Sequence, residues 1–447
     1  MKIRFQFAVA ALVFTLTAQA QRRSADELTQ LARNHDASLK SAIEASFAPK
    51  ALRDGTAWLS HEHAFFFALQ SQSAPQLVID EQPPVAMQRV ADSDLWFAAP
   101  SMERLDALHG FYYVVNGEHF GGSHDVPAFG PMHYADAKTP QGTLSPKYEI
   151  VSKIYDGMRS DYWIYVPAQY RVDKPAALMV FTDGQSHIKR VANQPAELNV
   201  IDHLIAAGKM PIAICVFTSP GDISGSPDTP TYRFVEAYAK KWNRTLKDSM
   251  RSTEYDTVSD RFARFLRDEL LPEVEKKYNI RHDAYSRAIQ GSSSGAIAAF
   301  NAAWQMPDQF SRVLSWIGTY TSIQWREDPT NPDGGHDYPE KVLRGPKRNI
   351  RVWLQDGSND QENPRYGSWP LANLRMANAL KAQGYDFHLL FGDGTHNAAQ
   401  GRATLSQSLT WLWRDYDLAK TAQTFEQEET ERAQPPFRVR VVNRSSE

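Results

Sequence analysis

From residue 148 the chain alternates short, nearly continuous apolar runs with stretches of helical periodicity. YEIVSKIY and DYWIYVP, separated by Asp156-Gly157, predict an opening hairpin. The runs AALMVF, PIAICVF, SRAIQG, RVLSWIG, NIRVWLQ and FHLLF follow, most of them ended by turn residues. Between or after them lie helical patterns: residues 187–208 with Val200, Leu204 and Ile205 on one face, RFARFLRDELLPEVEKKY, AIAAFNAAW, LANLRMANALKAQG and LSQSLTWLWRDY. A strand apolar on both faces must be covered on both faces. Residues 144–418 therefore predict an α/β domain, a doubly wound and mostly parallel sheet between helical layers.

The preceding third of the chain has a different texture. Residues 21–54 carry helical spacing through Leu28, Leu31, Ala32, Leu39 and Ile43. From Gly55 the runs shorten to TAWLSHEHAFFFAL, PQLVID, SDLWFAAP and GFYYVVNGEHFGG, which predict a small antiparallel β-sandwich over 55–143. Asn116-Gly117 is a hairpin signal, and the Gly- and Pro-rich stretch 121–146 reads as a linker. Residues 419–447 are polar and predict a disordered tail. At the other end, Lys2 and Arg4 precede FAVAALVFTLTA and then Ala18-Gln19-Ala20. That is the pattern of a secretory signal peptide cleaved after residue 20, so a periplasmic or extracellular protein is expected. No other apolar run is long enough to span a bilayer.

Charge and composition narrow the chemistry. Loss of Lys2 and Arg4 takes the formal charge from −3 to −5, which gives no electrostatic reason to expect a nucleic-acid partner. Cys215 is the single cysteine, set in an apolar run, so neither an internal disulfide nor a thiol nucleophile is expected. His61-Glu62-His63 would need a third ligand from elsewhere and is read as structural; no metal or cofactor is expected.

The segment AIQGSSSGAIAAF (288–300) carries the chemistry. A nucleophile elbow is a sharp strand–turn–helix, and G-x-S-x-G gains its meaning from that context. The strained central residue needs small neighbours two positions away, a condition that Gly291 and Gly295 meet only for Ser293. The N–H of Ser294, at the helix start, is then an oxyanion donor. A serine hydroxyl needs a base, and that base an orienting carboxylate. His336, His388 and His396 follow Ser293. His336 lies in a loop before the late strands and His388 inside a strand run, whereas His396 follows a strand and precedes a helix, where α/β sites form. For the acid, Asp356 directly follows NIRVWLQ, while Asp360 comes after the turn Gly357-Ser358-Asn359; both remain candidates on position. In MVFTDGQSH, Gly184 permits close backbone approach and Gln185 N–H is a second candidate oxyanion donor. The long loops 219–256 and 318–348 are expected to wall a cleft, with Trp242, Tyr320, Trp325 and Trp369 as substrate contacts.

With these pieces the chain resembles the "putative esterase" branch of the α/β-hydrolases, which includes enterochelin esterases, the feruloyl and acetylxylan esterases of carbohydrate esterase family one, and mycolyltransferases. The resemblance runs over about residues 144–416 through SDYWIYVPAQY, PAALMVFTDGQ, ELLPEVEKKYNI, IQGSSSGAIAAF and the GSND and GTHN loops. It implies Asp360, at the end of a G-x-x-D stretch, as the acid and Gln185 as the oxyanion donor. It is similar above all to enterochelin-esterase-like members, which implies an immunoglobulin-like N-terminal sandwich with Trp58, Phe65, Phe67 and Trp96 in its core. It also points to Arg251 and Glu254 of RSTEYD as substrate-binding, from an R-x-x-E element. Enterochelin esterases proper act on a cytoplasmic siderophore complex, so the signal peptide turns the expectation toward acyl or aryl esters of sugars, small or polysaccharide-linked. An acyltransferase on the same apparatus and a non-catalytic glycan-binding protein are the alternatives.

Overall fold

The computed structural model describes residues 22–222, 250–323 and 334–438. The signal sequence, Trp242, Trp325 and residues 439–447 lie outside the described residues. The chain divides into two compact units: residues 1–78, 82–102 and 112–122, and residues 79–81, 103–111 and 123–447.

The first unit opens with the helices Ala25–Arg33, Leu39–Ser46 and Pro49–Asp54. Ser24 caps the first of them: its hydroxyl accepts from Glu27 N–H at 3.2 Å, while Glu27 accepts from Ser24 N–H at 2.8 Å. Strands β1 (Ala57–His61), β2 (Ala64–Gln70), β3 (Gln76–Ile79), β4 (Val85–Ala86), β5 (Gln88–Arg89), β6 (Leu95–Ala98), β7 (Ala107–Val115) and β8 (Glu118–Ala128) form two four-stranded sheets, ordered β1-β2-β6-β5 and β4-β3-β7-β8. Leu28, Ile43 and Phe47 join Phe66, Ala68 and Phe97 in one core, so the helical lead-in covers the first sheet. Phe65 and Phe67 are fully buried as expected, whereas Trp58 and Trp96 are only partly so. The β7–β8 turn is made by Asn116 (φ 54°) and Gly117 (φ 84°), the paired positive φ of a type I′ hairpin. β8 continues to Ala128, through the first part of the expected linker. It is an edge strand with mostly exposed positions, so it needs no apolar alternation and left none to read.

The second unit is built on a nine-stranded sheet. Its strands are β9 (Thr143–Leu144), β10 (Tyr148–Ser152), β11 (Met158–Val166), β12 (Ala177–Phe181), β13 (Ala213–Thr218), β14 (Arg287–Ser292), β15 (Arg312–Trp316), β16 (Arg351–Asn359) and β19 (Asp386–Thr395). A small hairpin, β17 (Glu362–Asn363) and β18 (Gly367–Ser368), stands apart from it. The order is β10-β11-β13-β12-β14-β15-β16-β19, with β9 beside β11; the sheet is parallel from β13 to β19 and antiparallel before it, an α/β-hydrolase arrangement. Alternation divides each strand between two cores. Leu178 and Val180 face Phe265, Leu266 and Ile297 on one side, while Met179 and Phe181 face Val200, Leu204 and Leu409 on the other. Cys215 is fully buried on the second side, as its apolar run required.

Two elements differ from the sequence reading. The expected single helix of RFARFLRDELLPEVEKKY consists of Arg261–Arg264, a π-turn segment Phe265–Leu270, and Leu271–Glu275. Pro272 lacks an N–H and crowds the carbonyl four residues back, so the wider turn relieves it. The expected disordered tail is ordered through residue 438: it carries the helix Glu429–Ala433, Phe425 is buried, and Phe437 packs on the core. Asn349 and Asn378 accept from the N–H groups of Phe425 and Phe437 at 2.9 and 2.8 Å. Lys381–Glu431 and Arg414–Glu428 ion pairs at 2.9 and 2.8 Å hold the same segment, so apolar and ionic contacts dock it together.

Candidate active site

Ser293 stands between β14 and the helix Ser294–Gln305 with φ 57° and ψ −121°, a conformation costly for any residue with a side chain. Its flanks explain why the turn closes. A Cβ on Gly291 would lie 1.9 Å from the Gly295 carbonyl oxygen, and one on Gly295 would lie 2.3 Å from Thr182 Oγ1. Ser293 N–H donates to the Trp316 carbonyl at 2.9 Å, and Thr319 N–H donates to the Ser293 carbonyl at 3.2 Å. These bonds fix the strained residue from both sides.

His396 follows the last strand and reaches back across the sheet edge. Its Nε2 is 2.8 Å from Ser293 Oγ, and its Nδ1 is 2.5 Å from Asp360 Oδ1. The Asp360 carboxyl is fully buried, and the imidazole is 17% exposed. Asp125 accepts from both the N–H and the hydroxyl of Thr395, at 2.9 and 2.5 Å, so the residue before His396 is anchored. Trp369 is buried rather than open to a ligand. Its indole N–H donates to Thr319 Oγ1 at 3.2 Å, Thr319 Oγ1 is 3.3 Å from Ser293 Oγ, and its ring meets the His396 ring edge-on at 5.6 Å. Tyr320 is buried as well, hydrogen-bonded to Ser315 at 3.1 Å.

Ser294 and Gln185 occupy the first turns of the helix Ser294–Gln305 and of the 3-10 turn Gly184–Ser186, where N–H groups have no intrahelical acceptor. Gly184 is required by packing: a Cβ there would lie 2.3 Å from the Phe217 carbonyl carbon. The Gln185 side chain accepts from Ser219 at 2.6 Å. Adjoining this loop, a cavity of about 310 Å³ is lined by Phe129, Ser186, His187, Lys189, Glu197 and Arg402.

Arg251 and Glu254, expected together at the substrate, separate. Arg251 grips Asp183 with two bonds of 2.7 Å and donates to the Ser292 carbonyl at 3.2 Å; about a third of its side chain, 35%, is exposed. Glu254 is 1% exposed and accepts from Gly221 N–H at 2.9 Å, so it holds a loop instead of facing a ligand. Burial, then the Asp183 charge, pushes its carboxyl up to about 8. Burial likewise pushes the neighbouring Asp256 up to about 6, with Ser252 donating to it at 2.6 Å.

Asp125, Asp183 and Thr319 went unrecognised from sequence. No local pattern marks any of the three. His388, set aside for its place within a strand, stacks on Trp353 at 4.2 Å, and burial lowers its pKa. His61 and His63 have separate partners: Asp26 at 2.6 Å and the Met102 carbonyl at 2.6 Å. Among the described residues no group of His, Cys, Asp and Glu is arranged to hold a metal ion, and no helix is long and apolar enough to cross a membrane.

Comparison with known proteins bears on this geometry. Solved structures similar to the chain include the ferric enterobactin esterase of Salmonella typhimurium, 17% identical over 80% of this chain and 96% of that one, with a TM-score of 0.49. The enterobactin esterase of Shigella flexneri is 18% identical over 81% and 97%, with a TM-score of 0.47. A ferulic acid esterase of carbohydrate esterase family one from Anaeromyces mucronatus is 16% identical over 62% and 93%, with a TM-score of 0.44. No curated protein matches the sequence. The family described as "putative esterase" matches residues 157–412, more than half of the chain, from the second strand of the opening hairpin to the helix Leu405–Leu412. The chain belongs to that esterase family and is a carboxylic ester hydrolase.

Proposed function

We propose that the protein is an exported serine esterase that cleaves acyl or aryl esters of sugars or related compounds through an acyl-enzyme on Ser293. The observation that carries the reading is the continuous relay from Ser293 Oγ through His396 to Asp360, at 2.8 and 2.5 Å, with the serine held in a strained turn. His396 Nε2 takes the hydroxyl proton as Oγ attacks the ester carbonyl. The N–H groups of Ser294 and Gln185 receive the oxyanion. His396 then passes its proton to the departing alcohol, and a water deprotonated by the same nitrogen releases the acid and restores Ser293. Asp360 fixes the Nδ1–H tautomer and stabilises the imidazolium. Arg251 keeps exposed surface and stays as the candidate substrate contact; the cavity beside Gln185 is the candidate binding space.

Hydrolysis of p-nitrophenyl acetate by the purified mature chain tests the mechanism. Ser293→Ala should abolish turnover while the protein stays folded, and a fluorophosphonate should label Ser293 alone. An active Ser293→Ala variant would overturn the reading. Acetyl, feruloyl, glucuronoyl and catecholate esters compared by kcat/KM test the substrate class, and the N-terminal residue of the secreted protein, expected to be Gln21, tests export.

A further inference from the structure

The two aspartates that the sequence left as rivals are both buried at the end of β16. Asp356 is completely inaccessible, and the Asp360 carboxyl is equally so. Asp360 Oδ1 takes two donors, His396 Nδ1 at 2.5 Å and Gln361 N–H at 2.5 Å. Asp356 Oδ1 takes Gly357 N–H at 2.8 Å. The second oxygen of each is buried and finds no hydrogen-bond partner among the described residues, and Asp360 N–H donates back to the Gly357 carbonyl at 3.1 Å, so the two carboxyls stand on one buried turn. Two ionised carboxylates in that position would repel in a medium that screens poorly, and each would bury an unpaired lone-pair face. One proton between them removes both penalties.

We infer that Asp356 is a neutral carboxylic acid that donates its hydrogen bond to Asp360 Oδ2, making it a positioning residue for the acid that orients His396. The inference rests on the serine-esterase reading above. The proton is assigned to Asp356 because Asp360 Oδ1 is the oxygen that faces the imidazole. The groups around Asp356 agree with a neutral form. Burial first, and then Asp360, raise its carboxyl well above the usual range, and only Gly357 N–H and the Asn373 amide oppose them. Asn373 is itself committed to the Gly318 and Trp369 carbonyls at 2.9 and 3.1 Å. With Oδ2 held by Asp356, Asp360 cannot turn away from His396.

The test compares Asp356→Asn, Asp356→Leu and Asp360→Asn in the full mature chain. The amide of Asp356→Asn keeps a donor to Oδ2, so kcat should fall by about threefold or less. Asp356→Leu leaves Oδ2 bare and should lose about 10- to 100-fold in kcat with KM little changed, the worth of one hydrogen bond to a charged group. Infrared spectra at pH 7 should contain, beside the protonated-carboxyl band of Glu254, a second such component that is lost in Asp356→Asn. Asp356→Asn losing as much activity as Asp360→Asn would make Asp356 the orienting acid and overturn the inference, as would a spectrum unchanged by that substitution. If Asp356→Leu does not fold, the Asn variant and the infrared band still decide. Activity surviving Ser293→Ala would instead sink the esterase mechanism and leave the infrared result standing, so the two failures are distinguishable.

Discussion

Asp183 and Asp360 follow β12 and β16, on opposite sides of β14 and the serine that follows it. Both are shielded carboxylates near the same residue, and their surroundings give them different work. Asp183 spends both oxygens on the Arg251 guanidinium at 2.7 Å, and Arg251 passes a further bond to the Ser292 carbonyl. That pair braces the backbone of the elbow and turns both oxygens toward the guanidinium. Among the described residues no arginine is bonded to Asp360. One oxygen meets His396, and the other is buried without a hydrogen-bond partner among the described residues, at the place inferred for the Asp356 carboxyl. A permanent cation makes a buried carboxylate a strut, whereas a proton partner leaves its charge available to polarise a histidine.

The strongest way to break this comparison is to neutralise each carboxylate in turn. Asp360→Asn should lower kcat on p-nitrophenyl acetate about 10⁴-fold in a folded protein, because His396 loses its orienting anion. Asp183→Asn should change kcat by less than about tenfold and act on stability instead. Equal losses in kcat would erase the distinction. The next effect is on Arg251→Met, which leaves Asp183 without its cation. Breaking a wholly buried pair costs about 3–5 kcal/mol, and the partial exposure of Arg251 reduces this to about 2 kcal/mol, measurable by urea unfolding.

A subtler effect is pH dependence through Glu254, which burial first and the Asp183 charge after it hold in the neutral form. Its folded pKa is raised to about 8 from an ordinary value of 4.5, so between these pH values the folded protein holds a proton that the unfolded chain has released. Stability is therefore highest below that window, falls as pH rises through it by about 1.4 kcal/mol per pH unit at the steepest, and flattens above it. Glu254→Gln should flatten the slope of melting temperature against pH, and Asp183→Asn should shift the window downward. The smallest expected effect is that of Trp369→Phe, which removes the indole N–H from Thr319 but keeps the ring beside His396. A loss of about 1 kcal/mol in stability, with kcat within about threefold, would place Trp369 in the wall behind the relay.

Local chemistry made part of this site readable in advance. Gly291 and Gly295 singled out Ser293 because the tight turn needs small flanks; Gly291 meets the nearby Gly295 backbone as that argument requires, whereas Gly295 makes room for the remote Thr182 and Asp183 side chains. His396 was found because strand ends are visible as breaks in apolar runs. Asp125 was hidden because its contact with Thr395 joins positions 270 apart in the chain. Glu254 was expected at the substrate from an R-x-x-E element, and a short motif does not carry the burial that the structure gives this carboxyl, which accepts from Gly221 N–H.

By itself the sequence determined the order of elements, the two-sided burial of the sheet, and the one serine that a tight strand–helix turn could present. Those follow from periodicity and steric size, which act over a few residues. The tertiary structure alone decided which aspartate meets His396, that Arg251 serves Asp183 and not Glu254, and that the polar tail docks through Phe425 and Phe437. Each depends on distance between remote segments and on the low polarity of the space between them, and neither quantity is written in any local stretch of chain.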